Sequence, residues 1–252
     1  MTNRTHRTPP LAVLDIAAYA LSVLPGAIAW SSAISGGVKA YESGYFLPYA
    51  PIAPLILSFV FIGITWIMRL ALPRLHPGAY RIGFNGGTLA WYCHLALNRS
   101  LKVSGLRYLV NSLYLTKFLV HRALGAKIAW NVSTPMESTF VDLPLIEIGS
   151  GTFFGENAHI VCHFLRGDLL WLRRVKIGKN VFIGMNCTIG PGTQIGDDAW
   201  IGFGNILTGE HIEKSGRLED GQWRHGSPKR SRARDLYQAE KVEEQKHAYL
   251  AE

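Results

Sequence analysis

Charged residues are scarce in this 252-residue chain: Asp, Glu, Lys and Arg make up 17% of it, against 48% hydrophobic residues. A soluble domain ordinarily carries about a quarter charged residues. The deficit is concentrated. No charge occurs from Ile16 to Val38, or from Ser43 to Met68. Cysteine is also sparse. Cys93, Cys162 and Cys187 are odd in number and form no CxxC pair, which argues against a disulfide framework and against a thiolate zinc site. No metal is expected. Acidic residues are the rarer sign, leaving a formal net charge of +8. The basic residues flank apolar stretches (Arg4, Arg7, Arg69, Arg74, Arg81) or lie in the tail from Lys229 to Arg234. They form no patch interleaved with aromatics. Anionic lipid or a phosphate-bearing cosubstrate fits that distribution, and no nucleic-acid partner is expected.

The two charge-free stretches are each long enough to cross a hydrocarbon core, which takes about 20 helical residues. The second, with Leu55 to Ile62 at its centre and Tyr49 and Trp66 near its ends, has the composition of a membrane span. The first contains Pro25 and Gly26 and starts beside Asp15, so a cleaved signal peptide and a buried soluble helix stand as alternatives. Transmembrane helices are expected at about 12–36 and 46–69, forming a membrane hairpin over 1–82. Basic flanks at both outer ends place the rest of the chain on the cytoplasmic side of the inner membrane. Over 83–123, Leu, Trp, Tyr and Phe alternate with Lys and Arg. The spacing predicts two amphipathic helices, lying in the headgroup plane or packed on the following domain.

The pattern then changes period. Ile177-Gly178, Ile183-Gly184, Ile189-Gly190, Ile195-Gly196 and Ile201-Gly202 recur every six residues. The fifth residue of each unit is Val181, Cys187, Thr193, Ala199 or Asn205, none of them large. In extended chain the first and fifth positions face the same side, so the Ile fills an interior and the smaller residue leaves it room. A period of six is incompatible with a helix. Three such units close a triangular coil, and stacked coils bury one Ile column. The glycine is expected to let the backbone turn. An earlier frame of six runs through Leu124, Trp130, Met136, Ile148, Phe154 and Ile160, interrupted by Asp142. The spacing from Ile160 to Ile177 is not a multiple of six, so a loop must leave the coil near Leu165 to Arg174.

These residues carry a resemblance. Gly125 to Arg230 is similar to hexapeptide-repeat acyltransferases with a left-handed parallel β-helix. It is most like the membrane-linked branch fused to the C-termini of polylysine-synthetase-like peptide synthetases. The matching stretches are Gly125-Ala126-Lys127-Ile128, Glu137-Ser138-Thr139, Asp142 to Ile146, Ile148-Gly149 to Gly155, His163-Phe164-Leu165, the Ile-Gly ladder, Gly209-Glu210 and Trp223 to Pro228. The expected fold is therefore N-terminal transmembrane and amphipathic helices, a left-handed parallel β-helix over 124–230, and a charged C-terminal helix over 231–252.

Acyl transfer to an alcohol or amine needs a base for the acceptor's proton and donors for the oxyanion. Histidine suits the first role near neutral pH. The resemblance places the catalytic histidine at His163, just before the ejected loop, with direct attack and no covalent enzyme intermediate. A structural corner histidine is the alternative. His159 ends a repeat unit and reads as an outward residue. Cys162 adjoins His163, but neighbours in extended chain point apart. Glu137 and Asp142 are candidates to orient His163 or bind acceptor, with surface turns as their default. The resemblance assigns Trp223, Lys229 and Arg230 to the cosubstrate side. Lys229 departs from the small residue expected after Pro228, so a solvated basic tail stands beside that role. The donor implied is acyl-CoA or acyl carrier protein. The partners implied are two further copies in a homotrimer, membrane lipid, and a carrier protein or peptide synthetase. Two other functions share the coil: a non-catalytic assembly module, and a γ-carbonic-anhydrase-like zinc enzyme, for which His159 and His163 supply two ligands and no third is evident.

Overall fold

Glycine and proline set the ends of the apolar helices. The structure, a computed structural model, describes residues 12–225. Helix α1 (Ala12–Glu42) runs through Pro25 and stops at Gly44, whose φ of 77° is the left-handed cap that glycine adopts freely. A single turn, α2 (Phe46–Tyr49), precedes α3 (Ala53–Ala71), which carries proline in its first turn and ends at extended Leu72 before Pro73. The hairpin thus differs from the expected limits. The first helix continues to Glu42 because its stop signal is Gly44, and the second begins at Ala53 because Pro54 suits a helix start and not its interior. Both helices are long and apolar enough to cross a membrane. Their outer faces expose Ile16, Ile34 and Val38, then Phe59, Trp66 and Ile67.

Three helices, not two, occupy the next segment. Asn85 caps α4 (Gly86–Val103) by accepting the Thr88 amide at 2.9 Å. After it come α5 (Arg107–Asn111) and α6 (Tyr114–Ala123). Gly105, with φ 74°, breaks the pattern between α4 and α5. Helix α4 is wedged between α1 and the coil. Ser22 and Trp30 bond its carbonyls at Ala96 (2.8 Å) and Ser104 (3.1 Å), and Asn98 donates to Phe140 O at 3.1 Å.

From Lys127 onward short strands stack in parallel to form a three-faced coil. Phe153–Phe154, Phe182–Ile183, Trp200–Ile201 and Arg217–Leu218 make one face. Thr139–Phe140, His159–Ile160, Thr188–Ile189, Ile206–Thr208 and Trp223–His225 make the second. Lys127–Ile128, Ile146–Ile148, Val175–Ile177, Gln194–Ile195 and His211–Ile212 make the third. Ile177, Ile183, Ile189, Ile195 and Ile201 are all buried. Each contributes about 1.5–3 kcal/mol relative to exposure.

Two features of the repeat differ from expectation. The early interior frame is Ile128, Thr134, Phe140 and Ile148. Trp130 is 73% exposed, Met136 lies outside, and Leu124 caps α6. The short helical turn Leu143–Leu145 adds two residues to one corner, which shifts everything before it off the later frame of six. The ladder glycines also serve stacking and not turning. A Cβ on Gly184 would lie 2.8 Å from the carbonyl carbon of Gly202 in the next coil. The left-handed φ values fall instead on Asn180, Asn186 and Asp198.

The expected ejected loop is an ordered hairpin, His163–Arg166 with Leu169–Leu172, turned by Gly167 at φ 64°. Strand Gly78–Arg81 adds to it antiparallel. The expected C-terminal helix over 231–252 lies outside the described residues.

Candidate active site

Asp142 sits where the coil turns from its second face to its third. Its left-handed conformation (φ 60°, ψ 45°) is one Asp tolerates better than most residues, and it opens the Leu143–Leu145 turn. It is buried, only 3% exposed. A buried carboxylate needs donors, and three converge on this one. The Trp91 indole Nε1–H donates to Oδ1 at 3.0 Å, the Cys162 amide to Oδ2 at 3.1 Å, and His163 Nδ1–H to Oδ2 at 2.6 Å.

The same corner one coil later supplies His163. It opens the hairpin, pairs with Leu172, and has a side chain 22% exposed. Because the Asp142 carboxylate accepts only, Nδ1 carries the proton and Nε2 is left as the acceptor of the neutral ring. The Trp91 ring meets the imidazole edge-on at 5.1 Å between centroids. Indole and carboxylate thus fix position, tilt and tautomer together. Phe164 and Trp171 stack at 5.6 Å on the adjoining hairpin and stiffen the wall beside the histidine.

Of the residues singled out from sequence, the structure brings Asp142 and His163 together. Asp142 is not the surface turn taken as its default. His159 lies outward on the second face between Thr139 and Thr188 and is exposed. Glu137 is exposed and faces Arg107 at 4.0 Å. Trp223 pairs with Ile206 at the far end of the coil and is 80% exposed. Lys229 and Arg230 lie outside the described residues. Cys162 is buried, and burial together with the Asp142 charge pushes its thiol pKa well up, so it stays protonated and unreactive. Trp91 is the residue that sequence reasoning passes over. Its place in an apolar helical stripe explains its burial, but its donor role depends on a partner in another element.

Residues 174–209 match the family described as bacterial transferase hexapeptide (six repeats). That match falls within the repeat that builds the coil. A delta-poly-L-ornithine synthetase of Acinetobacter baumannii (strain AB307-0294) is 26% identical to this chain over 184 residues, 73% of this chain and 13% of that protein. A putative acetyltransferase, YvoF, of Bacillus subtilis (strain 168) is 32% identical over 99 residues, 39% of this chain and 51% of that protein. The chain therefore spans only 13% of the one curated relative and about half of the other. A maltose O-acetyltransferase from Clostridium difficile 630 is 19% identical, with a TM-score of 0.30 over 50% of this chain and 81% of that one.

Proposed function

We propose that this chain is a membrane-anchored acyltransferase. In this reading it moves an acyl group from acyl-CoA, or from acyl carrier protein, to a hydroxyl or amine of a membrane-associated acceptor. The observation that carries the reading is the buried Asp142 carboxylate on His163 Nδ1 at 2.6 Å. A histidine oriented in this way is a ready general base. Nε2 takes the proton of the acceptor hydroxyl or amine as that group attacks the thioester carbonyl. The C–S bond of the tetrahedral intermediate then breaks, and the imidazolium returns the proton to the departing thiolate. The Asp142 carboxylate on Nδ1 stabilises the imidazolium. An assembly module would have no need to hold a carboxylate and a partly exposed histidine in one tautomer. The putative acetyltransferase among the relatives supports the same transfer chemistry.

Helices α1 and α3 are the anchor in this reading, with the coil on the cytoplasmic side as the basic flanks imply. Three copies associate through the coil. An outward stack supports such an interface: Phe153 on Phe182 (5.5 Å), Phe182 on Trp200 (5.8 Å), and Arg217 over Trp200 at 4.6 Å.

The test is thiol release from acetyl-CoA by the detergent-purified full chain, with a membrane lipid extract supplied as acceptor. Release should fall about 10²–10⁴-fold in His163→Ala with oligomer size unchanged. Equal release by both proteins would sink the reading.

A further inference from the structure

A second feature of α4 bears on the acceptor. The face of α4 that carries Trp91 continues through Leu95, Asn98, Arg99 and Lys102, at helical spacing. Its later part lines a cavity of about 190 Å³ between α4, α5, α6 and the coil. Val141 and Leu143, the two neighbours of Asp142, form part of the wall. The cavity thus adjoins the chain on either side of the carboxylate that holds His163.

The lining is basic. Arg99, Lys102 and Arg107 contribute to it, and no Asp or Glu does among the described residues. Arg99 and Lys102 are exposed. Arg107 is held in place, its Nη2 donating to Met136 O at 3.0 Å and more weakly to Ser138 O at 3.4 Å, with Glu137 Oε2 4.0 Å away. His121 also lines the cavity. Burial pushes its pKa down to about 4, so it is neutral at pH 7 and adds no charge. Three cations in the lining, with the Glu137 carboxylate near Arg107 alone, leave a net positive potential that a phosphate would satisfy with charge-assisted hydrogen bonds.

Tyr92 bonds Asp15 at 2.7 Å, and Trp30 bonds Ser104 at 3.1 Å, so α4 runs alongside α1 and its C-terminal end lies against the middle of that apolar helix. Just past that end Val103, Tyr108, Leu113 and Leu115 are each about half exposed or more. Basic side chains beside exposed apolar ones match a headgroup next to acyl chains.

We infer that this cavity seats the phosphate headgroup of a lipid or lipid-linked acceptor, holding it beside His163 while its chains lie against the apolar rim. The inference rests on the reading of α1 and α3 as membrane spans, but it makes a binding prediction independent of catalysis. The chemistry required of the ligand is a phosphate ester, and a lipid and a soluble phosphate can both supply one.

The experiment is native mass spectrometry of the detergent-purified full chain, without acetyl-CoA. The probes are dioleoyl phosphatidic acid, dioleoylglycerol and inorganic phosphate. Wild type and His163→Ala should both bind phosphatidic acid in preference to dioleoylglycerol. Binding should weaken about tenfold in an Arg99→Gln/Lys102→Gln double variant, whose changes fall at exposed positions, and again in Arg107→Gln, with partial rescue by Arg107→Lys. A Lys179→Gln change on the coil should leave it unaltered. Equal binding of the two lipids, or binding unaffected by the cavity variants, would overturn the site. Binding of inorganic phosphate as tight as phosphatidic acid would overturn the lipid as its source. His163→Ala that binds normally yet transfers nothing separates this site from the catalytic reading, since each then stands on its own assay.

Discussion

Asp142 Oδ2 lies 2.6 Å from His163 Nδ1, and the two residues come from successive turns of one corner of the coil. The carboxylate is buried and has no role in the packing of the Ile column, so its value lies in the ring it holds. Replacing it with Asn keeps the shape but allows the amide to donate to Nδ1, which puts the ring proton on Nε2. Asp142→Asn should lower kcat about 10²–10⁴-fold while KM for acetyl-CoA stays within about threefold. Steady-state thiol release reads both. A variant with wild-type kcat would show that the tautomer does not matter.

Trp91 bonds the other oxygen of the same carboxylate. Trp91→Phe removes the indole N–H, narrows the ring beside His163, and leaves Asp142 Oδ1 short of a donor in a buried place. The cost in stability should be about 1–3 kcal/mol, seen as a lower Tm by circular dichroism. The effect on transfer should appear in kcat more than in KM, because Trp91 contacts both His163 and Asp142. A change confined to KM would place Trp91 in substrate binding instead.

Much of the coil is legible in the sequence because one residue repeats at one spacing. Ile177 to Ile201 are read correctly for that reason. The spacing fails where the corner is irregular. The extra residues at Leu143–Leu145 move the frame, so Trp130 and Met136 look interior while Thr134 and Phe140 occupy the place. The same irregularity hides Asp142 as a gap in an apolar ladder. His163 is singled out by the resemblance, which places a catalytic histidine just before the departure from the frame of six. Trp91 is not, since a helix 51 residues before Asp142 in sequence gives no sign of which carboxylate its indole will meet.

The ladder glycines make a prediction about stacking. Gly184→Ala would set a methyl 2.8 Å from the Gly202 carbonyl carbon, in backbone that cannot move without opening the coil. It should cost about 1–3 kcal/mol or more, comparable to overpacking a core. Gly83→Ala, at a position with open space and ordinary φ, should be tolerated within about 0.5 kcal/mol. Thermal melts of the two variants against wild type decide it. Equal melting would mean that the coils are not as closely stacked at Gly184 as the geometry has them.

His121 supplies the pH dependence. Its ring packs on Phe140 with centroids 5.4 Å apart, and Nδ1–H donates to Lys117 O at 2.8 Å. Burial lowers its pKa to about 4, the Lys117 carbonyl opposing that change and the Lys117 charge adding to it. The unfolded chain therefore binds a proton near the ordinary histidine value of about 6.5, while the folded chain refuses it until about pH 4. Stability from this group is fully present above about pH 6.5 and is lost as pH falls from there to about 4. A His121→Gln variant keeps a polar side chain without the proton. Its Tm should change less than that of wild type between pH 7 and pH 4.5. Parallel slopes for the two proteins would show that His121 titrates in the folded chain as it does in the unfolded one.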